Sequence, residues 1–137
     1  MNHKTNILFI GSDQHRYDCV GANGNSIIKT PSLDRLAAEG MNFTQAYTAC
    51  PVCTPARASL LTGQWSFKHL SITIPNHTEV PRAFKNDLPT FPQLLKAAGY
   101  WLGYVGKWHV GCKSNDKDPS PEDIGFDKYI PVRDYFA

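Results

Sequence analysis

The sequence places a thiol, the start of a helix and an arginine within five consecutive residues, 53–57. Pro55 suits the first turn of a helix, where its missing N–H group has no partner to lose, and Gly63 is a typical helix terminator. Cys53 is therefore predicted at a helix N-terminus, where unpaired backbone N–H groups attract anions. Arg57 adds a positive charge one turn later that can bind an oxyanion through two N–H groups. This pattern is typical of a nucleophile beside an anion-binding site.

The same thiol also belongs to a second pattern. Cys50 and Cys53 form a C-x-x-C pair, which is typical of a redox dithiol or of half a zinc site. His109 and Cys112 could complete a Cys₃His zinc set. A non-catalytic zinc-binding domain is therefore an alternative to an enzyme. Metal analysis separates these two alternatives. Zinc with intact thiols favours the zinc-binding domain, whereas calcium or magnesium with a modified Cys53 favours the enzyme.

Two polar residues follow the apolar run 6–11, which predicts a buried strand. Asp13 and Gln14 come just after that run, and in open α/β sheets functional groups lie beyond the carboxyl ends of strands. Their carboxylate and amide oxygens suit Ca²⁺ or Mg²⁺. A polar turn with a helix cap explains the same spacing equally well.

Lys107 and His109 lie at the end of another predicted strand, 100–105. Because they differ by two positions, an extended backbone would place both side chains on one face. A lysine and a histidine that converge on an oxyanion can neutralise its charge and help a leaving group depart. Taken alone, they are also a common pair of residues at a strand end.

Three segments together resemble the signatures of the sulfatase family. C-T-P-A-R at 53–57 matches the C-x-P-x-R signature and continues as L-L-T-G at 60–63. G-K-W-H at 106–109 matches a second signature, and Asp13 matches the first of an acidic pair that follows the first strand in that family. The resemblance covers nearly all of the chain but only the N-terminal part of the family's domain. We therefore expect residues 1–137 to be a fragment that is inactive alone.

The resemblance implies a specific nucleophile. Cys53 would be oxidised after synthesis to formylglycine by a maturation enzyme, and the hydrated aldehyde would supply the attacking oxygen. Arg57 and Lys107 would hold developing charge, and His109 would bind sulfate or assist proton transfer. Ala56 stands where the family more often has serine, at a position within the signature that the maturation enzyme recognises.

The resemblance also implies a divalent metal, Ca²⁺ or Mg²⁺, held by Asp13, Gln14 and the modified Cys53. Gln14 stands where many relatives have a second aspartate, as in the branch that holds phosphonate monoester hydrolases and some bacterial sulfatases. The implied reaction is hydrolysis of a sulfuric ester, on a small molecule or a carbohydrate. A phosphonate or phosphate ester hydrolase of the same fold is the alternative.

Composition limits the remaining classes. The chain has 137 residues, of which 42% are hydrophobic and 19% charged, so it reads as globular. A net charge of +2 gives no indication of nucleic-acid binding, and no apolar run approaches the ~20 residues of a membrane helix. The N-terminal run lacks the length and cleavage site of a signal peptide, which predicts a cytoplasmic location, with a periplasmic or secreted one as the alternative.

The remaining elements predict a largely parallel α/β sheet. Helices are expected at 30–40 and 88–99, because each has a threonine cap, an early proline and a terminal glycine. A strand is expected at 41–47, in addition to those at 6–11 and 100–105. Helix-glycine-strand units favour parallel strands with right-handed crossovers. Together with the resemblance, this order predicts the N-terminal portion of an alkaline-phosphatase-like α/β/α sandwich.

The weakly patterned stretches are predicted as surface segments. Residues 64–87 and 112–122 read as loops, and His69 and His77 in the first are expected to be ordinary exposed histidines. The segment 124–129 contains G-F-D, which follows these signatures in sulfatases, and we assign it a packing role.

Overall fold

A computed structural model describes residues 4–71, 88–110 and 119–132. The chain divides into two units, Met1–Tyr47 and Thr48–Ala137. The helices are α1 Pro31–Glu39, α2 Cys53–Thr62, α3 Ser66–His69 and α4 Phe91–Ala97, with 3-10 turns at Tyr17–Cys19, Gly21–Asn23 and Glu122–Ile124. The strands are β1 Gly103–Gly106 and β2 Lys128–Pro131. None of the helices in these described ranges is long and apolar enough to cross a membrane.

Polar contacts fix helix α1 in the first unit. Asp34 Oδ1 accepts hydrogen bonds from the Ala22 N–H at 2.7 Å and from the Thr30 hydroxyl at 2.8 Å. The Thr30 hydroxyl oxygen in turn accepts from the Gly21 N–H at 2.8 Å. A Cβ atom at Gly21 would lie 2.6 Å from Asp34 Oδ2, so a larger residue there would displace the Asp34 carboxylate from these hydrogen bonds. Thr30 precedes the helix as predicted, but its side chain bonds to Asp34 and makes no cap to the helix backbone.

Two predicted strands of the first unit are wrong. Residues 6–11 and 41–47 form no strand, and the apolar side chains of 7–10 are exposed. A strand needs a neighbour to accept its backbone hydrogen bonds, and the described residues of this unit provide none. Helix α1 does not bury its leucines either, since Leu33 is 42% exposed and Leu36 is 58% exposed.

The second unit builds the hydrophobic core. Its buried members come from α2, from the residues before and after β1 in the sequence, and from the G-F-D segment: Ala58, Leu61, Leu102, Val110, Ile124 and Phe126. Rings of Tyr104 and Phe126 meet edge to face at a centroid distance of 5.2 Å, and those of Tyr104 and Trp108 do so at 5.5 Å. Such pairs stabilise a core beyond their buried area alone. The predicted packing role of 124–129 is confirmed.

Strands β1 and β2 are parallel, with Gly103 opposite Lys128 and Gly106 opposite Pro131. Parallel pairing confirms the predicted sheet type, and β1 overlaps the predicted strand 100–105. Strand β2 was not predicted, because its four residues show no period-two alternation and end in a proline. Pro131 cannot donate a backbone hydrogen bond, which suits only an edge or a strand end.

Helix α4 follows its predicted capping signals. The Gln93 N–H donates to the Thr90 hydroxyl oxygen, and the Gln93 side chain accepts from the Thr90 N–H at 2.9 Å, which forms a capping box. Phe91 and Leu95 pack against the core, whereas Leu94 is 62% exposed.

The predicted loops are partly corrected. Residues 66–69 form helix α3, and His69 is fully buried rather than exposed. His77 and the rest of 72–87 lie outside the described residues, as do Cys112 and the rest of 111–118.

Candidate active site

The N-terminus of α2 presents the candidate nucleophile. Val52 has an extended backbone, and its carbonyl accepts the first helical bond from the Ala56 N–H at 2.9 Å. Cys53 is the first residue of the helix and is half-buried, whereas Thr54 and Pro55 beneath it are buried. Gly63 ends the helix with a left-handed backbone, at φ 64°. The predicted placement of the thiol at a helix N-terminus is confirmed.

Arg57 turns back over the same helix end. Its Nη1 atom donates to the Cys53 carbonyl oxygen at 3.3 Å, one turn earlier. The side chain is half-buried, which limits how far solvent screens its charge. The positive charge of the guanidinium therefore lies beside the first turn, where the free backbone N–H groups also favour an anion.

Tyr104, on β1, bonds to the segment that follows this strand. The Tyr104 hydroxyl donates to the Lys107 carbonyl oxygen at 2.5 Å. Burial raises the pKa of Tyr104, while the positive charge of Arg57 acts in the opposite direction. The Tyr104 hydroxyl thus fixes the backbone at Lys107, just after β1.

The segment after β1 has a different geometry from the one that we predicted. Strand β1 ends at Gly106, and His109 has a left-handed backbone with φ 44°. The backbone is therefore not extended through His109, so the predicted alignment of Lys107 with His109 is wrong, and their joint action on an anion stays a prediction. Trp108 packs against the core: its indole N–H donates to the Pro119 carbonyl at 2.9 Å, and its ring meets Phe126 edge to face.

Unusual backbone conformations occur at two predicted site residues. Gln14 at φ 47° and His109 at φ 44° are two of the three non-glycine residues with positive φ in the described ranges. Such conformations cost of order 1–3 kcal/mol each and cluster at functional sites. The third residue is Leu70, next to the buried His69.

Asp13 and Gln14 offer suitable donors for a hard cation. Both side chains are exposed, at a bend of the first unit. A carboxylate and an amide oxygen fit Ca²⁺ or Mg²⁺, which want about six or more oxygen ligands. No cluster of three or more His, Cys, Asp or Glu that could hold a metal occurs in the described part of the chain, so these two residues would need further oxygen donors.

The structure also argues against the alternative of a zinc site, as far as its proposed ligands are described. Cys50, Cys53 and His109 are all described, and they do not form a metal-binding cluster. Cys50 and Cys53 both carry free thiols, so they are not a disulfide. The fourth proposed ligand, Cys112, lies outside the described residues.

Sequence reasoning missed two hydrogen-bonded side chains of the second unit. The first is Tyr104, which reads in the sequence as one more apolar strand residue. The second is His69, whose Nδ1 atom accepts from the Ser71 N–H at 3.1 Å. The proton of its neutral ring therefore lies on Nε2, which donates to the Ser59 hydroxyl oxygen at 2.9 Å. The ten-residue spacing between Ser59 and His69 matches no local pattern.

Comparison with known proteins agrees with these features. The family model described as Sulfatase matches residues 5–136. The chain is 37% identical over 132 residues to N-acetylgalactosamine-6-sulfatase of Mus musculus, a match that covers 91% of this chain and 25% of that protein. It is also 41% identical over 131 residues to an ulvan-active sulfatase of Formosa agariphila, and this match covers 90% of this chain and 23% of that protein. The chain spans about a quarter of the length of these curated relatives.

Solved structures show the same relationship. The structure of Ps i-CgsB in complex with k-i-k-neocarrahexaose is similar with a TM-score of 0.75 and 34% identity, over 87% of this chain and 26% of that chain. The phosphonate monoester hydrolase of Agrobacterium radiobacter is similar with a TM-score of 0.73 and 24% identity, over 90% of this chain and 25% of that chain. The second likeness concerns the fold alone, and both confirm the predicted alkaline-phosphatase-like fold. Since the family model spans nearly every residue, this chain belongs to the sulfatase family.

Proposed function

We propose that residues 1–137 are the N-terminal part of a sulfatase catalytic domain, and that the complete protein hydrolyses sulfuric esters. The observation that carries this proposal is the position of Cys53 at the first residue of α2, with the Arg57 guanidinium hydrogen-bonded to the Cys53 carbonyl. The matching family model covers both residues. The fold alone would support several chemistries, so the site carries the argument.

Each candidate residue has a role that its chemistry supports. Arg57 and the α2 N-terminus place positive charge beside Cys53 and offset the charge that develops on sulfate oxygens. Lys107 supplies a second cation, and His109 binds sulfate or moves a proton to the leaving group. Formylglycine made from Cys53 would supply a hydrated aldehyde whose oxygen attacks sulfur.

A divalent cation is part of the proposal. Asp13 and Gln14 would hold it with the modified Cys53 and with further oxygen ligands. Calcium and magnesium both suit these donors, and either would polarise sulfate oxygens and favour the ionised nucleophile. The amide of Gln14 brings no charge, so the site carries one negative charge fewer than an aspartate pair would.

We propose a carbohydrate sulfate ester as the substrate class. Support comes from the names of relatives, which include N-acetylgalactosamine-6-sulfatase and an ulvan-active sulfatase, and from the neocarrahexaose bound to Ps i-CgsB. A phosphonate or phosphate ester is the second candidate, favoured by Gln14 and by the fold of the Agrobacterium radiobacter hydrolase. The higher identity to sulfatases favours the first.

A substrate panel tests the proposal in the complete protein. Matched aryl sulfate, aryl phosphate and phosphonate monoester substrates would be assayed, with the Cys53 peptide mass measured on the same sample. We expect the largest kcat/KM for the sulfate, a peptide mass that corresponds to formylglycine, and loss of activity after chelation that Ca²⁺ or Mg²⁺ restores. A preference for the phosphonate would establish the second candidate. Full activity with an unmodified thiol would contradict the proposed nucleophile.

A further inference from the structure

The His69 side chain connects the short helix α3 to the helix that carries Cys53. Its ring is fully buried, and both ring nitrogen atoms are hydrogen-bonded. Nδ1 accepts from the Ser71 N–H at 3.1 Å, so the single proton of the neutral ring lies on Nε2 and is donated to the Ser59 hydroxyl oxygen at 2.9 Å. The ring therefore joins α2 to the residues at the end of α3 in one fixed tautomer.

The backbone next to His69 is strained. Leu70 ends α3 with a left-handed conformation, at φ 62° and ψ 4°. For a leucine this conformation costs of order 1–3 kcal/mol, and it persists only where the surrounding structure fixes it. The Leu70 side chain is 53% exposed, so its own burial does little to offset that cost. Because Leu70 lies between the two partners of the Ser71–His69 bond, we infer that this bond helps to hold the strained turn.

Ser59 lies where a hydrogen bond can control the rotation of α2. It follows Arg57 by two residues and Cys53 by six. The core contacts of α2 are apolar, and hydrophobic burial has no preferred direction, whereas a hydrogen bond does. A rotation of α2 by about 10° would move atoms that lie about 5–6 Å from its axis by about 1 Å. A misplacement of that size at a catalytic site can cost about 100-fold in rate.

We propose that His69 is a positioning residue that acts through Ser59 and fixes the rotation of α2, so that Cys53 and Arg57 keep their places around the sulfate group. The inference rests on the proposed function, because it assigns the nucleophile and a sulfate-binding cation to α2. Arg57 is bonded to the Cys53 carbonyl, so both residues move together when the helix turns. His69 is buried and touches neither substrate nor reacting atoms in this scheme.

Two alanine substitutions in the complete protein separate positioning from packing. Ser59→Ala removes the acceptor of the His69 bond and leaves a good helix former in α2. Ser66→Ala on α3 is the matched control, because the buried Ser66 hydroxyl has no hydrogen-bond partner among the described residues. We expect Ser59→Ala to lower kcat about 10-fold and the control to lose less than about threefold. Parent-like kcat in Ser59→Ala, or equal losses in both variants, would overturn the inference.

Two amide substitutions of His69 each preserve one of its hydrogen bonds. His69→Gln brings an amide nitrogen near the place of Nε2 and can still donate to Ser59, whereas His69→Asn brings an oxygen near the place of Nδ1 and can accept only from Ser71. Well below the unfolding temperature of each variant, we expect kcat within about threefold of the parent for His69→Gln and about 10-fold lower for His69→Asn. Equal kcat values in the two would overturn the inference. If neither variant folds, the serine pair still decides.

Binding of inorganic sulfate gives a readout that does not depend on turnover. By calorimetry, Ser59→Ala should raise the sulfate Kd about fivefold, while Ser66→Ala leaves it unchanged, because only the first lets the Arg57 guanidinium and the α2 N-terminus rotate relative to the anion. If the parent binds sulfate but hydrolyses no ester, the proposed function fails while this titration still decides the role of His69. An equal sulfate Kd in parent and Ser59→Ala overturns the positioning role, and a parent that neither binds nor hydrolyses overturns both.

Discussion

The two units of the chain are stabilised in different ways. Within the described ranges, all six buried hydrophobic residues belong to the second unit, and the apolar side chains of 7–10 and of helix α1 in the first unit are largely exposed. Helix α1 is fixed instead by the hydrogen bonds of Asp34 to Ala22 and Thr30. In the second unit a hydrophobic core therefore holds the helix that carries Cys53 and Arg57, whereas in the first unit polar contacts hold helix α1.

A pair of leucine truncations tests this contrast most strongly. Leu61 on α2 is 5% exposed and packs in the core, so Leu61→Ala should lower the free energy of unfolding by about 2–5 kcal/mol. Leu36→Ala on α1 should cost about 1 kcal/mol or less, because its side chain is more than half exposed. Denaturant unfolding of the complete protein measures both. Equal losses would contradict this contrast between the two units.

Removal of the Asp34 carboxylate tests the polar contacts. Asp34→Ala should destabilise the first unit locally by about 0.5–1.5 kcal/mol, because the Ala22 N–H and the Thr30 hydroxyl lose their acceptor. Amide hydrogen exchange at Ala22 is the direct measurement, and Glu39→Ala at the other end of α1 is the control. Unchanged protection at Ala22 would contradict the account.

The smallest expected effect is a dependence of the stability of the second unit on pH, which His69 causes. Burial lowers the pKa of His69, so the neutral ring is favoured between Ser59 and Ser71. Its contribution to stability is fully present above the unfolded-state pKa of about 6.5 and is lost as the pH falls from there toward the lowered value. His69→Gln cannot titrate, so unfolding followed between about pH 5 and 7 should depend less on pH than in the parent. Parallel profiles would contradict this prediction.

Local signals predicted the helices well. Pro55 and Gly63 located α2, and the Thr90–Gln93 capping box located α4, because each signal acts within one turn of the residues that it controls. The placement of Cys53 beside Arg57 followed from the same local rules. The resemblance to sulfatases, confirmed by the family model, added the chemistry.

Non-local partners explain what the sequence could not reveal. The run 6–11 has strand composition, but a strand forms only against a neighbour, and none is present among the described residues of its unit. The hydrogen bonds of Tyr104 to Lys107 and of His69 to Ser59 form only in the folded structure, so no local sequence pattern predicts them. The left-handed backbone of His109 likewise follows no local propensity, and it overturned the predicted alignment with Lys107.

The central claim is that Cys53, at the N-terminus of α2, becomes the nucleophile of a sulfatase. The most direct measurement compares sulfate ester hydrolysis by Cys53→Ala and Cys50→Ala in the complete protein, since both residues carry free thiols three positions apart. We expect Cys53→Ala to lose at least about a thousandfold in kcat and Cys50→Ala to stay within about threefold of the parent. Equal loss from both substitutions, with release of zinc, or parent-like turnover by Cys53→Ala would contradict the account.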